Sequence, residues 1–370
     1  MKVALASPYD FAYPGGVTAH VVHLYDELGK MGHEVKVIAP CSERARVSHD
    51  IELIAIGKPV PIPAAGSVAR IAVSPWLSRQ VKACLDRERF DVIHLHEPLI
   101  STLTLALLAH SCAVNVGTFH ACHDEPRGYR MARPLIKRWF DRLDGLIAVS
   151  PPARDFAGRY LPGDYHIIPN GIDVEHFSAD VPPMEQFCDG RQNCLFVGRL
   201  EKRKGLKYLL GAFRHVQQEV PQSRLIVVGP AESRVRQEYQ AMARELGLTD
   251  VVFVGFAPYQ DLPRYYRSAD VFCAPATGEE SFGIVLLEAM AASRPIVASA
   301  IDGYASVLSA PAEGLLVPPR DEPALAQALV RLLRDEPLRQ GMGARGRQKA
   351  ERYSWHNVAR SVLALYQDLL

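Results

Sequence analysis

A chain of 370 residues with 48% hydrophobic and 22% charged residues has the composition of a soluble globular protein, long enough for two domains with a core each. Its formal net charge of +1 excludes a global electrostatic pull toward nucleic acid or membrane and leaves any such partner to a local patch. The seven cysteines, at 41, 84, 112, 122, 188, 194 and 273, are odd in number and show no C-x-x-C, which predicts reduced thiols in a cytoplasmic protein and no zinc site.

The first residues, Met1-Lys2-Val3-Ala4-Leu5-Ala6, run into Ser7-Pro8-Tyr9-Asp10 and read as too short for a signal peptide. Val3–Ser7 reads as a first buried strand, and the amphipathic stretch Val17–Met31 as the helix that follows it. Val35–Ala39, Val92–His96, Val114–His120 and Leu146–Ser150 continue the series, with helical patterns between them. The longest apolar stretch, Leu99 to Ala109, falls short of the roughly 20 residues that span a bilayer. A loop-like region, Ala179–Gln192, rich in Pro, Asp and Gly, interrupts the alternation. It resumes with Cys194–Arg199, Leu225–Gly229, Val251–Gly255, Val271–Ala274 and Pro295–Ser299. The last segment, Ser354–Leu370, has the pattern of an amphipathic helix packing back on the first domain. Such alternation predicts parallel sheets with helices on both faces. The expected fold is α/β: two doubly wound domains facing each other, with ligands beyond the strand C-termini. The expected division is 1–172 together with 354–370, and 173–353.

The densest motif is Glu280-Ser281-Phe282-Gly283-Ile284-Val285-Leu286-Leu287-Glu288. A helix pattern starts directly after Ser-Phe-Gly, and a helix N-terminus offers unpaired N–H groups and a positive dipole end to phosphate. Acids on both sides suit hydroxyls flanking that phosphate, the layout of a sugar, a diphosphate and a ribose. As a glycosidase pair the carboxylates would lie roughly 9–12 Å apart at about 1.5 Å per helical residue, beyond the ~5–5.5 Å of retaining hydrolases. The plain alternative is structural, with Glu280 capping and Glu288 ion-paired.

Five further features carry candidate chemistry. Gly15-Gly16 follows the first strand and precedes a helix; it is either a tight turn or a place for backbone to approach phosphate, and it is not G-x-G-x-x-G. In Gly198-Arg199-Leu200-Glu201-Lys202-Arg203-Lys204-Gly205, Arg199 and Lys204 suit a diphosphate leaving group, Arg by a bidentate fork and Lys as a point charge. The alternative is a solvated basic loop, the reading given to Lys202 and Arg203. His120 ends a strand, where it either donates to a sugar hydroxyl or serves structure. His94 and His96 share one strand face while Glu97 points away, which is no metal motif and favours structural hydrogen bonding. Finally, Arg127–Arg142 mixes cations with Tyr129, Trp139 and Phe140. It suits either an anionic membrane surface or ordinary packing on its own domain, and it does not match a nucleic-acid reader.

Together these residues resemble the family 4 retaining glycosyltransferases of the GT-B type over nearly the whole chain. The shared pieces are Pro8-Tyr9, Phe11, Pro14-Gly15-Gly16-Val17, His96-Glu97-Pro98, Phe119-His120, Ile168-Pro169-Asn170-Gly171 and Glu280–Glu288. Val60-Pro61-Ile62-Pro63 and Gly66-Ser67-Val68-Ala69-Arg70 narrow the likeness to the members that mannosylate phosphatidylinositol.

The resemblance implies two Rossmann-like domains with a deep interdomain cleft, the first binding acceptor and the second binding nucleotide-sugar. It implies that Glu280 binds donor sugar hydroxyls with help from backbone at Phe282 and Gly283. Glu288 would hold the ribose, Arg199 and Lys204 the diphosphate, Gly16 its phosphate side, and backbone near Phe256 and Ala257 the base. His120 would contact the sugar at the reacting centre, and Tyr9, Ser67 and Arg70 the acceptor. The co-substrate would be a nucleotide-diphospho-sugar, GDP-mannose first, with no metal or other cofactor. The acceptor would be a lipid such as phosphatidylinositol at the cytoplasmic face of the membrane. This chain departs from that branch at Ala64-Ala65, where the branch has Tyr-Asn, at a thinner basic helix that keeps Arg79 and Lys82, and at Ala121–Glu125 after His120. Transfer to diacylglycerol or another acceptor, a sugar-nucleotide epimerase and a non-catalytic sugar-nucleotide binder stay open as rivals. Oligomeric state is not legible.

Overall fold

The computed structural model describes residues 1–64, 67–74, 76–120, 136–178 and 180–370, with the backbone alone for Pro63, Ala64 and Ser67. The chain divides into two compact units, Met1–Gly171 with Trp355–Leu370, and Ile172–Ser354.

The first unit is built on seven parallel strands: β1 (Lys2–Ala6), β2 (Glu34–Ala39), β3 (Leu53–Ala55), β6 (Val92–His96), β7 (Val114–Phe119), β8 (Gly145–Ala148) and β9 (Tyr165–Ile167), in the order β3-β2-β1-β6-β7-β8-β9. The central strands are covered on both faces: β1 is buried from Val3 to Ala6, and β6 is buried throughout, with His94 and His96 among its apolar residues. One face packs Leu24, Leu28 and Val37 with the closing helix, and the other packs Leu95, Leu103 and Phe119. The closing helix, Trp355–Leu369, buries Trp355, Val358, Val362, Leu365 and Tyr366 against this unit.

A separate antiparallel hairpin joins β4 (Pro59–Ala64) to β5 (Ser67–Ala72). Strand β4 carries Pro59, Pro61 and Pro63, three residues without an N–H, which is why its sequence does not read as a strand. The prolines occupy alternate positions, so every second residue keeps an N–H for the ladder.

The second unit has six parallel strands: β10 (Gln192–Val197), β11 (Ser223–Val228), β12 (Val251–Gly255), β13 (Val271–Ala274), β14 (Ile296–Ser299) and β15 (Gly314–Val317), in the order β12-β11-β10-β13-β14-β15. Its faces pack Phe272, Leu286, Met290 and Tyr304 on one side and Leu206, Phe213, Leu329 and Leu332 on the other. Both sheets are thus doubly wound α/β.

Strand order reverses between β1 and β6 in the first unit and between β10 and β13 in the second. In open parallel sheets the connections leaving such neighbours diverge to opposite faces and leave a crevice at the strand C-termini. The segments that leave β1, β6, β10 and β13 begin at Ser7, Glu97, Gly198 and Pro275. Those segments hold most of the candidate residues.

Candidate active site

In the second unit the site starts from two loops. The loop after β10 passes through Arg199 and a 3-10 turn, Lys202–Lys204, into the helix Leu206–Glu219; the loop after β13 runs through Thr277 to Gly283 and into the helix Ile284–Ala291. Backbone rivets them together: Thr277 N donates to Arg203 O at 2.8 Å. Charge then links them. Lys204 Nζ lies 2.6 Å from Glu280 Oε1, and Arg203 Nη1 donates to the same oxygen at 2.6 Å and to Glu279 O at 3.2 Å.

Arg203 corrects the sequence reading, which left it in solvent. Its side chain is 24% exposed, and it also donates from Nε to Glu201 Oε2 at 2.8 Å. Arg199 is placed otherwise: it is half exposed and pairs with Glu201 Oε1 at 2.9 Å. Arg199, Glu201, Arg203, Glu280 and Lys204 therefore form one chain of alternating charges. Of the two cations singled out from sequence, Lys204 joins the network directly at Glu280, and Arg199 joins it through Glu201, which the sequence did not mark. A run of three cations at 202–204 gives no sign of which one turns inward.

The helix start after Ser281-Phe282-Gly283 is formed as expected. Gly283 stands at its N-cap with φ +94, and an added Cβ would lie 2.7 Å from the Tyr304 ring. Both facts require glycine. Phe282 is buried in the core beneath. Glu280 is fixed from behind by Gly303, where an added Cβ would come within 1.9 Å of the Glu280 carbonyl oxygen. Gly303 was missed in the sequence; a glycine opening the short helix Asp302–Ala305 is its only signal.

Glu288 lies in the helix Ile284–Ala291. Burial pushes its carboxyl up to about 6, opposed by the Tyr266 hydroxyl, which donates to Oε2 at 2.6 Å, and by the charge of Lys204. A carboxylate this poorly solvated gains from a ligand hydroxyl that donates to it. Phe256, directly after β12, exposes 70% of its surface, and Ala257 beside it is buried.

In the first unit Gly16 opens the helix Gly16–Lys30, with Gly15 extended at its N-cap. An added Cβ at Gly16 would meet nothing within 4 Å, so packing does not demand glycine there. Tyr9 and Arg70 are brought together, since Tyr9 forms an isolated antiparallel bridge with Ile71 and Asp10 N donates to Arg70 O at 2.8 Å. The Arg70 guanidinium lies 4.1 Å from the Tyr13 ring centre. Ser67 opens β5, but its side chain and that of Ala64 lie outside the described residues, as do Ala65, Ala121–Glu125 and the 127–135 part of the basic-aromatic run.

His120 follows β7 and belongs to a cluster of histidine rings. Its Nε2 is 3.0 Å from His96 Nδ1, and its backbone N donates to Glu97 Oε1 at 2.8 Å. His94 stacks on His96 at 4.5 Å between ring centres and is pinned at both nitrogens, to the Tyr366 hydroxyl and to Thr118 Oγ1, each at 2.6 Å. His20 sets its ring edge-on to His96 and His120 and bonds Asn170 Oδ1 through Nδ1 at 2.9 Å. Burial lowers all four imidazoles, His20 to about 4 and His94 to about 3. All four rings are neutral at neutral pH. Among the described residues no group of three or more His, Cys, Asp or Glu is arranged to hold a metal ion.

Comparison with known proteins places this geometry. The family model described as "Glycosyltransferase Family 4" matches residues 14–176, and "Glycosyl transferases group 1" matches residues 184–349. The phosphatidyl-myo-inositol mannosyltransferase of Mycolicibacterium smegmatis is 36% identical over 371 residues, covering 100% of this chain and 94% of that protein. The enzyme of the same name from Mycobacterium leprae is 37% identical over 371 residues, covering 100% of this chain and 97% of that protein. Among solved structures, sucrose-phosphate synthase from Thermosynechococcus elongatus superimposes with a TM-score of 0.77 at 23% identity, covering 100% of this chain and 99% of that one.

Proposed function

The chain belongs to the family 4 glycosyltransferases, and on that footing we propose that it is a retaining enzyme transferring mannose from GDP-mannose to phosphatidylinositol. The full-length relatives that carry a phosphatidyl-myo-inositol mannosyltransferase name support the acceptor. The observation that carries the donor side is the double hold on Glu280: Lys204 and Arg203 both meet Oε1, which leaves Oε2 for sugar hydroxyls beside a helix N-terminus suited to phosphate.

In this reading Glu280 orients the sugar, Glu288 takes the ribose, and Lys204 with Arg199 neutralises the diphosphate. Gly16 offers backbone to the phosphate, and the backbone at Phe256 and Ala257 meets the base. His120 donates to the sugar, while Tyr9, Ser67 and Arg70 meet the acceptor. The bond from the anomeric carbon to the diphosphate breaks, the bond from that carbon to an acceptor hydroxyl forms on the same face, and the acceptor proton passes to the departing diphosphate. Catalysis then rests on orientation and leaving-group neutralisation, with no protein nucleophile and no metal.

The acceptor would be met at the cytoplasmic face of the membrane. Among the described residues no helix is long and apolar enough to cross a membrane. The hairpin and the turn after it expose Val60, Val68, Val73 and, at 85%, Trp76, next to Arg79 and Lys82 on the helix Leu77–Glu88. Apolar side chains flanked by cations suit an anionic lipid surface.

The test is transfer of labelled sugar from GDP-mannose, UDP-glucose and ADP-glucose into vesicles with and without phosphatidylinositol. Label in lipid from GDP-mannose, dependent on phosphatidylinositol, is expected. Transfer to diacylglycerol instead would overturn the acceptor, and hydrolysis or epimerisation without transfer would overturn the reaction.

A further inference from the structure

One nitrogen of the His96 ring is stranded. Its Nδ1 faces His120 Nε2 at 3.0 Å, while its Nε2 is buried without a hydrogen-bond partner. The ring itself cannot swing away, because His94 stacks on it and His20 meets it edge-on.

Two arrangements of protons fit the short contact. If His120 Nε2 carries the proton, His96 Nδ1 accepts it, and the proton of the neutral His96 ring sits on Nε2 as a buried donor with nothing to bond. If His96 Nδ1 carries the proton, His96 Nε2 is only an unused lone pair. Buried N–H groups without a partner are rarer in native structures than unused acceptors, which selects the second arrangement. His120 Nε2 is then an acceptor, and the single proton of that neutral ring is on Nδ1.

We propose that His96 is a positioning residue that fixes His120 in its Nδ1–H tautomer, so that His120 meets the substrate as a hydrogen-bond donor and not as a base. The proposal rests on the reading of His120 as the residue that contacts the donor sugar, but the proton assignment stands apart from it. Neutral His120 has its basic nitrogen turned to His96, which leaves an N–H for a sugar oxygen and no lone pair for the acceptor proton. His96 is thereby tied to the reaction without touching substrate.

The experiment uses the full chain labelled with 15N-histidine and two-bond 1H–15N correlation of the imidazoles, without substrate, alongside transfer kinetics. Wild-type His120 is expected to be protonated at Nδ1. His96→Asn, which keeps an N–H donor near the place of Nδ1, is expected to retain that tautomer and the wild-type rate. His96→Leu is expected to lose the single tautomer and to lower kcat about tenfold, the worth of one hydrogen bond, with KM for the nucleotide-sugar unchanged. Protonation of His120 at Nε2 in the wild type, or an unchanged tautomer in folded His96→Leu, overturns the proposal. If His96→Leu does not fold, the wild-type spectrum alone decides. Absence of transfer from every nucleotide-sugar with an Nδ1–H spectrum would bring down the functional reading and leave the proton assignment standing.

Discussion

Lys204 Nζ and Arg203 Nη1 converge on one oxygen of Glu280, each at 2.6 Å. One carboxylate oxygen thus receives two cations that lead different lives. Arg203 is tied down by Glu201 and the Glu279 carbonyl, whereas Lys204 swings on a flexible four-carbon stem. When a diphosphate arrives, Arg203 can keep Glu280 in place while Lys204 turns to the leaving group.

The two cations should therefore fail differently. Lys204→Met is expected to lower kcat/KM about a hundredfold, the scale for losing one donor to developing charge, and to weaken nucleoside diphosphate binding. Arg203→Met should lower kcat about tenfold by loosening Glu280, with nucleoside diphosphate affinity nearly kept. Calorimetric titration with GDP beside steady-state kinetics separates them, and equal losses of affinity in both variants would refute the division of roles.

Glu288 gives a stability signature. A carboxyl whose folded value, about 6, lies above its ordinary 4.5 costs nothing below the unfolded value, where both states are protonated. The cost grows as pH rises through the window and is complete above the folded value. It amounts to about 2 kcal/mol. Glu288→Gln should therefore be more stable than wild type at pH 8 and close to it at pH 4.5, while binding donor more weakly. Denaturant melts at the two pH values check this; a gap independent of pH would contradict the burial of the charge.

Gly303→Ala should injure the site from behind. Its Cβ would sit 1.9 Å from the Glu280 carbonyl oxygen, so the Glu280 segment must shift. Overpacking of this kind costs about 1–3 kcal/mol, and we expect transfer to fall about a hundredfold from misplaced Glu280. Activity and melting temperature of the same preparation test it, and wild-type activity would show that the segment adapts freely.

Trp76, 85% exposed, offers a membrane test. Trp76→Ser is expected to lower the affinity for phosphatidylinositol vesicles about tenfold, the worth of one buried large apolar side chain, with GDP binding unaffected. Co-sedimentation measures it. Unchanged sedimentation would remove this edge from the membrane contact.

The strands of both sheets were legible because a parallel strand covered on both faces is an uninterrupted apolar run, as in Leu225–Gly229 and Val271–Ala274. The edge strands β3, β9 and β15 were not; β3 and β9 have three residues each, too few to show a pattern, and β15 opens on a glycine. Strand β4 was hidden by its prolines. At the site, Glu280 and Gly283 stood out because the onset of a helix gives a glycine and an acid meaning. Arg203, Tyr266 and Gly303 did not, because their contacts with Glu280, Glu288 and the Glu280 backbone come from segments that only the fold brings together. The His96–His120 contact was not legible, because the pairing of the two strands that end at these residues comes only from the fold, and its proton arrangement needs the buried nitrogen to be seen.

The most direct measurement compares mannose transfer from GDP-mannose into phosphatidylinositol vesicles by wild type and by Glu280→Ala, with folding of both followed by melting curves. We expect transfer by the wild type and a loss of about a hundredfold or more in the variant. Equal transfer by the two proteins, or none by a folded wild type with any nucleotide-sugar, would contradict the role given to Glu280.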